Sequence, residues 1–485
     1  MNAPLRRLSA VVTVLFLALF ASATSVQFVQ AGSLNARPGN ARTVYKQYSR
    51  ERGPIVAGNT VLAASKPVDD LYKYLRTYPT GPLYAHVTGY YSPVFGSATG
   101  IEAAANAYLN GTADQLFYRR ISDLLTGRQP KGASVELTVD PAAQQAASRA
   151  LGDRQGAAVA LDPKTGAVLA MVSSPTYDPN TLATHSRTKA DRAYKRLLAD
   201  PGRPLENRAI AGRLYPPGST FKLITSAAAL SSGRYTPDTE VPGPAELPLP
   251  QTTITLPNDD RQPCGPGGQV KLLDALRISC NTAFGSLGMT LGDDALRQQA
   301  AKFGFGRTLQ VPLTVTPSSY PPDPNQAQTA QTAIGQFDVR VTPLQMAMVA
   351  AGIANGGVVM QPYLIKRIRS SDLDTVSETQ PTQFSTAVTP EVATQLTTMM
   401  EAVVQSGTGT NAQISGVRVA GKTGTAQTAK GQPPLAWFTA FAPADDPKIA
   451  VAVVVENGGG FGEAASGGRV AAPIARAVME AVVRR

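Results

Sequence analysis

The sequence predicts a mixed α+β protein behind an N-terminal apolar segment, and three observations carry that reading. Two strand-like runs, Ala157–Leu161 and Ala167–Val172, come early and are joined by Pro163-Lys164-Thr165-Gly166, which reads as a hairpin turn. Three more, Val417–Lys422, Trp437–Phe441 and Ile449–Glu456, come late and precede a helix from Ala472 to Val483. Between the two groups lies a long stretch dominated by helical spacing. About 450 residues follow the apolar segment, too many for one core, so at least two domains are expected.

The apolar segment comes first. Residues 8 to 36 carry no charge, Val11–Ala21 is strongly apolar, and Arg6 and Arg7 precede it, which permits a spanning helix with its N-terminus inside. The alternative is a cleaved signal peptide, because the dense apolar core is short and Ala21-Ser22-Ala23 resembles a peptidase site. Either way the rest of the chain is exported. Residues 1–34 are assigned to a cytoplasmic tip and signal-anchor, 35–135 to a proximal domain, and 136–485 to the main domain. In the second of these, Ile101–Leu109 reads as helix and Gly127–Gly132 as a junction.

In the main domain, Tyr215-Pro216-Pro217-Gly218 is a tight turn feeding a buried helix, Phe221–Leu230, that stops at Gly233. Leu272–Ile278 is a short helix whose end is the polar loop Ser279-Cys280-Asn281. Asp338 through Asn355 places Leu344, Ala347, Met348 and Ala351 at helical spacing, a core helix rather than a cofactor box. Gly416–Gly421 alternates as a strand does and ends in Lys422-Thr423-Gly424-Thr425.

Charge and rare residues exclude several classes of function. The formal net charge is +11, from 45 basic and 34 acidic residues, with a basic stretch from Arg37 to Arg76. An exported chain with no stacked-aromatic pattern or recognition motif is not expected to bind nucleic acid. The charge suits anionic lipid or wall polymer, or simply a solvated face. Two cysteines and two histidines, His86 and His185, make no clustered metal site, and no metal or organic cofactor is expected. Cys264 and Cys280 stand 16 residues apart; an oxidising compartment permits a disulfide that fastens the loop Gly265–Gly268, the alternative being one buried and one exposed thiol.

Three short motifs carry the chemistry. Ser219-Thr220-Phe221-Lys222, Ser279-Cys280-Asn281 and Lys422-Thr423-Gly424 follow one another at intervals of about 60 and about 140 residues. Alone, each is ordinary: a helix N-cap, a helix end, a strand before a turn. In that order they describe a serine nucleophile activated by lysine. Ser219 sits at a helix N-terminus, where free N–H groups and the dipole favour developing negative charge. Lys222 lies one turn on, among Phe221, Leu223 and Ile224; desolvation, or a cation such as Lys422, lowers its pKa and makes it a general base. Ser279 offers a hydroxyl for proton relay and Asn281 an amide for the substrate backbone. Gly424 would keep the strand edge open to a peptide. Cys280 is not the expected nucleophile, since no histidine lies near it in sequence.

The chain resembles the class B penicillin-binding proteins, peptidoglycan D,D-transpeptidases of the actinobacterial PbpA type. Besides the three motifs, the resemblance covers Arg50-Glu51-Arg52-Gly53-Pro54-Ile55, Leu137-Thr138-Val139-Asp140-Pro141, Gly156–Met171, Asn207-Arg208-Ala209, Ala333-Ile334-Gly335-Gln336 and Thr342-Pro343-Leu344-Gln345. One segment departs: Val56-Ala57-Gly58-Asn59 stands where aspartate-arginine-asparagine-glycine is usual. The resemblance implies a five-stranded antiparallel sheet flanked by helices, above a pedestal or dimerisation-like module. It implies that Ser219 attacks the penultimate D-alanine carbonyl of a stem peptide and that backbone N–H groups of Ser219 and Thr425 hold the oxyanion. Ser279 and Lys422 would then protonate the departing D-alanine, Asn281 would bind backbone, and Thr423, Gly424 and Thr425 would line the place of the terminal carboxylate. β-Lactams would acylate the same serine. Implied partners are peptidoglycan stem peptides, the membrane, a membrane-embedded glycan polymerase, and division or elongation proteins.

Other readings use the same motifs. A D,D-carboxypeptidase would pass the acyl group to water; the large proximal module and anchor favour transpeptidation. A β-lactamase usually occupies far fewer residues. A non-enzymatic β-lactam receptor or scaffold would want further transmembrane helices, and a glycosyl-transfer domain does not fit in the roughly 100 residues between anchor and catalytic domain.

Overall fold

The computed structural model describes residues 2–35, 48–117, 121, 125–128, 131–427 and 431–484. Residues 37–47 of the basic stretch and residues 129–130 of the expected junction lie outside the described residues. Helix α1 (Asn2–Thr24) begins the chain, and the span Ala3–Val29, with mean hydropathy 2.1, is long and apolar enough to cross a membrane. Ala21-Ser22-Ala23 lies within that helix.

The proximal module begins with β1 (Ile55–Ala57), β2 (Thr60–Pro67) and β3 (Tyr74–Thr77), an antiparallel meander. Ile101–Leu109 is two short helices, Gly100–Ala104 and Asn106–Leu109. β4 (Ser134–Leu137) then pairs parallel with β1. Asp140 caps α2 (Pro141–Leu151), its carboxylate accepting from the N–H groups of Ala142 and Ala143 with proline at the first helical position. β5 (Gly156–Leu161) and β6 (Val168–Ser174) form the expected hairpin.

The helical middle contains α3 (Lys222–Ser231), α4 (Leu272–Arg277), α5 (Asn281–Leu291) and α6 (Pro343–Ala354). α6 is shorter than its sequence spacing implies. Val341 is held extended by reciprocal backbone bonds with Tyr215, and Thr342 Oγ1 then accepts from Gln345 N at 3.1 Å to start the helix. β7 (Ile365–Arg369) and β8 (Thr375–Glu378) follow, then α7 (Pro390–Ser406), β9 (Ala420–Ala426), β10 (Leu435–Ala442), β11 (Ile449–Val455) and α8 (Ala472–Val483). The first late strand is displaced from its expected position. Ile414 to Val417 closes as a turn, and the strand instead runs through Lys422-Thr423-Gly424-Thr425, because those residues pair with the buried β10.

β9-β10-β11-β5-β6 make a five-stranded antiparallel sheet. Helices cover both of its faces, so its strands read as continuous apolar runs. Ala450, Ala452 and Val454 point into the core shared with α3, α6 and α7, whereas Ile449, Val451, Val453 and Val455 point toward α2 and α8. A second sheet, of six strands in the order β8-β7-β4-β1-β2-β3, joins the proximal meander to a hairpin from much later in the chain. It crosses the expected boundary at 135/136.

Candidate active site

The turn that carries Ser219 is a 3-10 segment, Gly218–Phe221, running directly into α3. Gly218 has φ +53, and a Cβ there would stand 2.8 Å from Thr425 O, so glycine brings the turn against β9. The turn is tied down by Trp437 Nε1 donating to Pro216 O at 3.0 Å and Thr220 Oγ1 donating to Pro217 O at 2.8 Å. Tyr215 OH donates to Glu456 at 2.8 Å, and Arg208 pairs with the same buried carboxylate at 2.9 Å. A Cβ on Gly424 would come within 2.9 Å of Pro217 O and Thr220 Cγ2. That glycine is therefore required by the Ser219 turn packing on β9, which is also the edge strand of its sheet.

Lys222 and Lys422 are both fully buried, and the second motif lies between them. Lys222 Nζ donates to Ser279 O at 2.6 Å and Asn281 Oδ1 at 2.7 Å, with Ser279 Oγ at 3.3 Å. Lys422 Nζ donates to Ser279 Oγ at 2.9 Å and Thr423 O at 3.0 Å. Ser279 thus bridges the lysines, and its backbone pays a strain cost at φ +66, outside the regions a serine prefers. Although Lys222 lies one turn from Ser219, its amine contacts Ser279 and Asn281; among the described residues no hydrogen bond links it to Ser219 Oγ.

Burial pushes both lysines down. Lys222 falls well below the ordinary lysine range, first by desolvation and then by the charge of Lys422, with Asp259 opposing. Desolvation brings Lys422 to about 7, again opposed by Asp259. A neutral Lys222 amine has two N–H groups and one lone pair. Ser279 O and Asn281 Oδ1 take the two hydrogens, which leaves the lone pair free to accept a proton.

Ser219, Asn281 and Thr425 line one open cleft of about 830 Å³, with Asp259, Gln336 and Glu463 around it. Thr423 faces Thr408, hydroxyl to hydroxyl at 2.6 Å, and Thr425 Oγ1 accepts from Gly467 N at 3.4 Å. Cys264 and Cys280 are disulfide-bonded. All the residues singled out in sequence are therefore brought to one region.

Sequence reasoning missed Asn258, Asp259, Thr408 and Glu456. Asn258 is buried; its Oδ1 accepts from the N–H groups of Asn281 and Thr282, both at 3.0 Å, while its Nδ2 donates to Pro244 O at 2.9 Å and Gln262 O at 2.8 Å. It caps α5 from outside that helix. Nothing in Asn258-Asp259-Asp260 distinguishes it from an ordinary polar turn; only the tertiary fold brings it to Asn281.

The penicillin-binding protein transpeptidase domain model matches residues 156–480, and that for the penicillin-binding protein A dimerisation domain matches residues 52–135. The chain belongs to the penicillin-binding protein transpeptidase family. A peptidoglycan D,D-transpeptidase PbpA of Mycolicibacterium smegmatis is 47% identical to it, over 100% of this chain and 99% of that relative. Two structures of penicillin-binding protein A from Mycobacterium tuberculosis, as ceftriaxone and imipenem acyl-enzyme complexes, superpose with TM-scores of 0.87 and 0.86 at 45% and 46% identity; each match covers 90% of this chain and 100% of the other. Within the family, the chain is of the class B, PbpA type of actinobacteria.

Proposed function

We infer that this chain is a serine D,D-transpeptidase of peptidoglycan synthesis, covalently acylated by β-lactams. The observation that carries the reading is Lys222: buried, depressed in pKa, and hydrogen-bonded so that its lone pair remains free beside the nucleophile's turn. Ser219 Oγ gives its proton to Lys222 and attacks the penultimate D-alanine carbonyl of a stem peptide. Backbone N–H groups of Ser219 and Thr425 hold the tetrahedral oxyanion. Lys422, through Ser279, returns a proton to the departing D-alanine. Asn281 holds the substrate backbone, and Thr423 and Thr425 receive its terminal carboxylate beside Gly424. An amine of a neighbouring stem then attacks the acyl carbon, passing a proton through Ser279 to Lys422 while Lys222 returns its proton to Ser219 Oγ, which closes the cross-link and frees the serine.

The test is intact mass spectrometry of the protein with penicillin, and with a thioester donor with and without an amine acceptor. A one-to-one penicillin adduct and an aminolysis product are expected. Hydrolysis alone would move the assignment to D,D-carboxypeptidase, and absence of any adduct would reject serine acylation.

Residues 1–34 form a cytoplasmic tip and single-pass anchor, 35–135 a non-catalytic module and 136–485 the transpeptidase domain. Arg6 and Arg7 outweigh Arg37 on the far side of the apolar run, so the catalytic domain faces outward, where stem peptides lie. A membrane-embedded glycan polymerase and division or elongation proteins are the partners this topology suits. Protease added to intact, wall-stripped cells is expected to digest the chain beyond residue 40 and spare a short membrane fragment; full protection would refute the topology.

A further inference from the structure

Asp259 is an exposed carboxylate on a loop that the catalytic motifs do not include, yet it reaches the second of them. Asn281 Nδ2 donates to Asp259 Oδ1 at 3.0 Å, with Pro257 O at 3.4 Å, while Asn281 Oδ1 accepts from Lys222 Nζ at 2.7 Å. The loop is anchored on both sides of the contact. Asn258 binds four backbone groups, at Asn281, Thr282, Pro244 and Gln262, and Cys264 is bridged to Cys280.

The chemistry of the amide gives the carboxylate a task. When Lys222 is protonated it can only donate, so Asn281 must face it with oxygen. When Lys222 is neutral, the amide can turn over and donate Nδ2–H into the lysine's lone pair, which is the electron pair needed to take the proton of Ser219. An ionised carboxylate only accepts, so it holds Nδ2 on its own side. We propose that Asp259 is a positioning residue for acylation: it locks the Asn281 side-chain amide so that the lone pair of neutral Lys222 stays available to Ser219. The proposal rests on the acyl-transfer reading above.

The test uses full-length protein in detergent and the second-order rate of penicillin adduct formation, together with the thermal midpoint. Asp259→Asn replaces an acceptor-only group with one that can also donate. It is expected to slow acylation about tenfold, the scale of a lost charge-assisted hydrogen bond, with an unchanged midpoint. Asp259→Glu restores an acceptor-only carboxylate and is expected to recover most of the rate, since the exposed site has room for a methylene. In an Asn281→Ala background, adding Asp259→Asn is expected to change the rate less than twofold, because the amide through which the carboxylate acts is gone.

An Asp259→Asn rate within twofold of the unmodified protein overturns the proposal. So does a tenfold loss that persists in the Asn281→Ala background, since the carboxylate would then act by another route. If the unmodified protein forms no adduct, the acyl-transfer reading fails and this proposal with it; normal acylation with indifferent Asp259 variants sinks the proposal alone.

Discussion

In the proposed mechanism Lys222 and Lys422 carry opposite protonation duties within one buried pair, and this sets the expected response to pH. Acylation needs Lys222 neutral, so its rate rises as that lysine loses its proton, well below the ordinary lysine range. Leaving-group protonation needs Lys422 charged, and with its pKa at about 7 the rate falls again above neutrality. A bell-shaped profile in stopped-flow acylation is expected, its two limbs belonging to the pair jointly. A rate still climbing at pH 9 would remove Lys422 from proton delivery. Ser219→Ala is expected to abolish covalent labelling while leaving the thermal midpoint intact, and Lys222→Ala to slow acylation by roughly two orders of magnitude, the scale of general-base loss. The same burial costs stability. Between about pH 7 and the ordinary lysine value of 10.5, the unfolded chain binds a proton at Lys422 that the folded chain does not, so stability rises with pH across that window and is lower beneath it. Lys422→Met is therefore expected to melt higher than the unmodified protein at pH 6 while losing activity; an unchanged midpoint there would show that the buried lysine is not penalised. The motif residues were legible because Ser-x-x-Lys, Ser-x-Asn and Lys-Thr-Gly are local and ordered. Asn258 and Asp259 were not, because their role exists only once a loop more than twenty residues upstream folds over Asn281.

At the scale of elements, β9 and the nucleophile's turn are held together by contact too close for any side chain. Gly424→Ala would drive a Cβ to 2.9 Å from a proline carbonyl and a threonine methyl, and the turn must move away. Overpacking of this kind costs about 1–3 kcal/mol, and here the displaced atoms include the nucleophile's own segment. Acylation is expected to fall by more than the stability loss alone implies, measurable as a reduced adduct rate at a temperature where circular dichroism shows the variant fully folded. A folded variant with an undiminished rate would mean that the turn relaxes freely. The disulfide belongs to the same scale. Reduction of Cys264–Cys280 is expected to increase hydrogen exchange in residues 243–282 more than it lowers the global midpoint, because Asn258 and Val270 still pin the loop. Uniform loss of protection across the protein would contradict this. The elements also show why pattern reading placed some boundaries well and others poorly. Both ends of the helix at 472–483 were legible, since its apolar face stands against a single layer. The start of β9 was not: Gly416 to Gly421 alternates as well as any strand, and only pairing with β10 decides which stretch is one.

At the scale of the whole molecule, the proximal module and the catalytic domain share one body of packed side chains. Ile55, Leu62, Tyr78, Val87, Ile101 and Val135 belong to the same buried cluster as Phe221, Leu344 and Val454. The six-stranded sheet makes the union physical. β4 has β1 on one side and β7 on the other, Glu136 meets Lys366, Arg367 and Arg369 across that join, and Thr138 then donates to Val168 O at 2.8 Å on the far sheet. Pairing between residues 134–137 and 365–369 spans more than two hundred positions, and no local pattern announces it. The union yields a definite expectation for truncation. A chain beginning at residue 136 would keep every catalytic motif but lose β1 and the first two residues of β4, baring what remains of β4 and the facing edge of β7 together with the apolar surface that Ile55 and Leu62 cover. An unpaired edge beside exposed apolar side chains favours association between copies. Compared with a chain beginning at residue 48, the shorter one is expected to melt lower and to self-associate in analytical ultracentrifugation. A monomeric truncated chain with the same midpoint would show that the proximal module rests on the catalytic domain without supporting it.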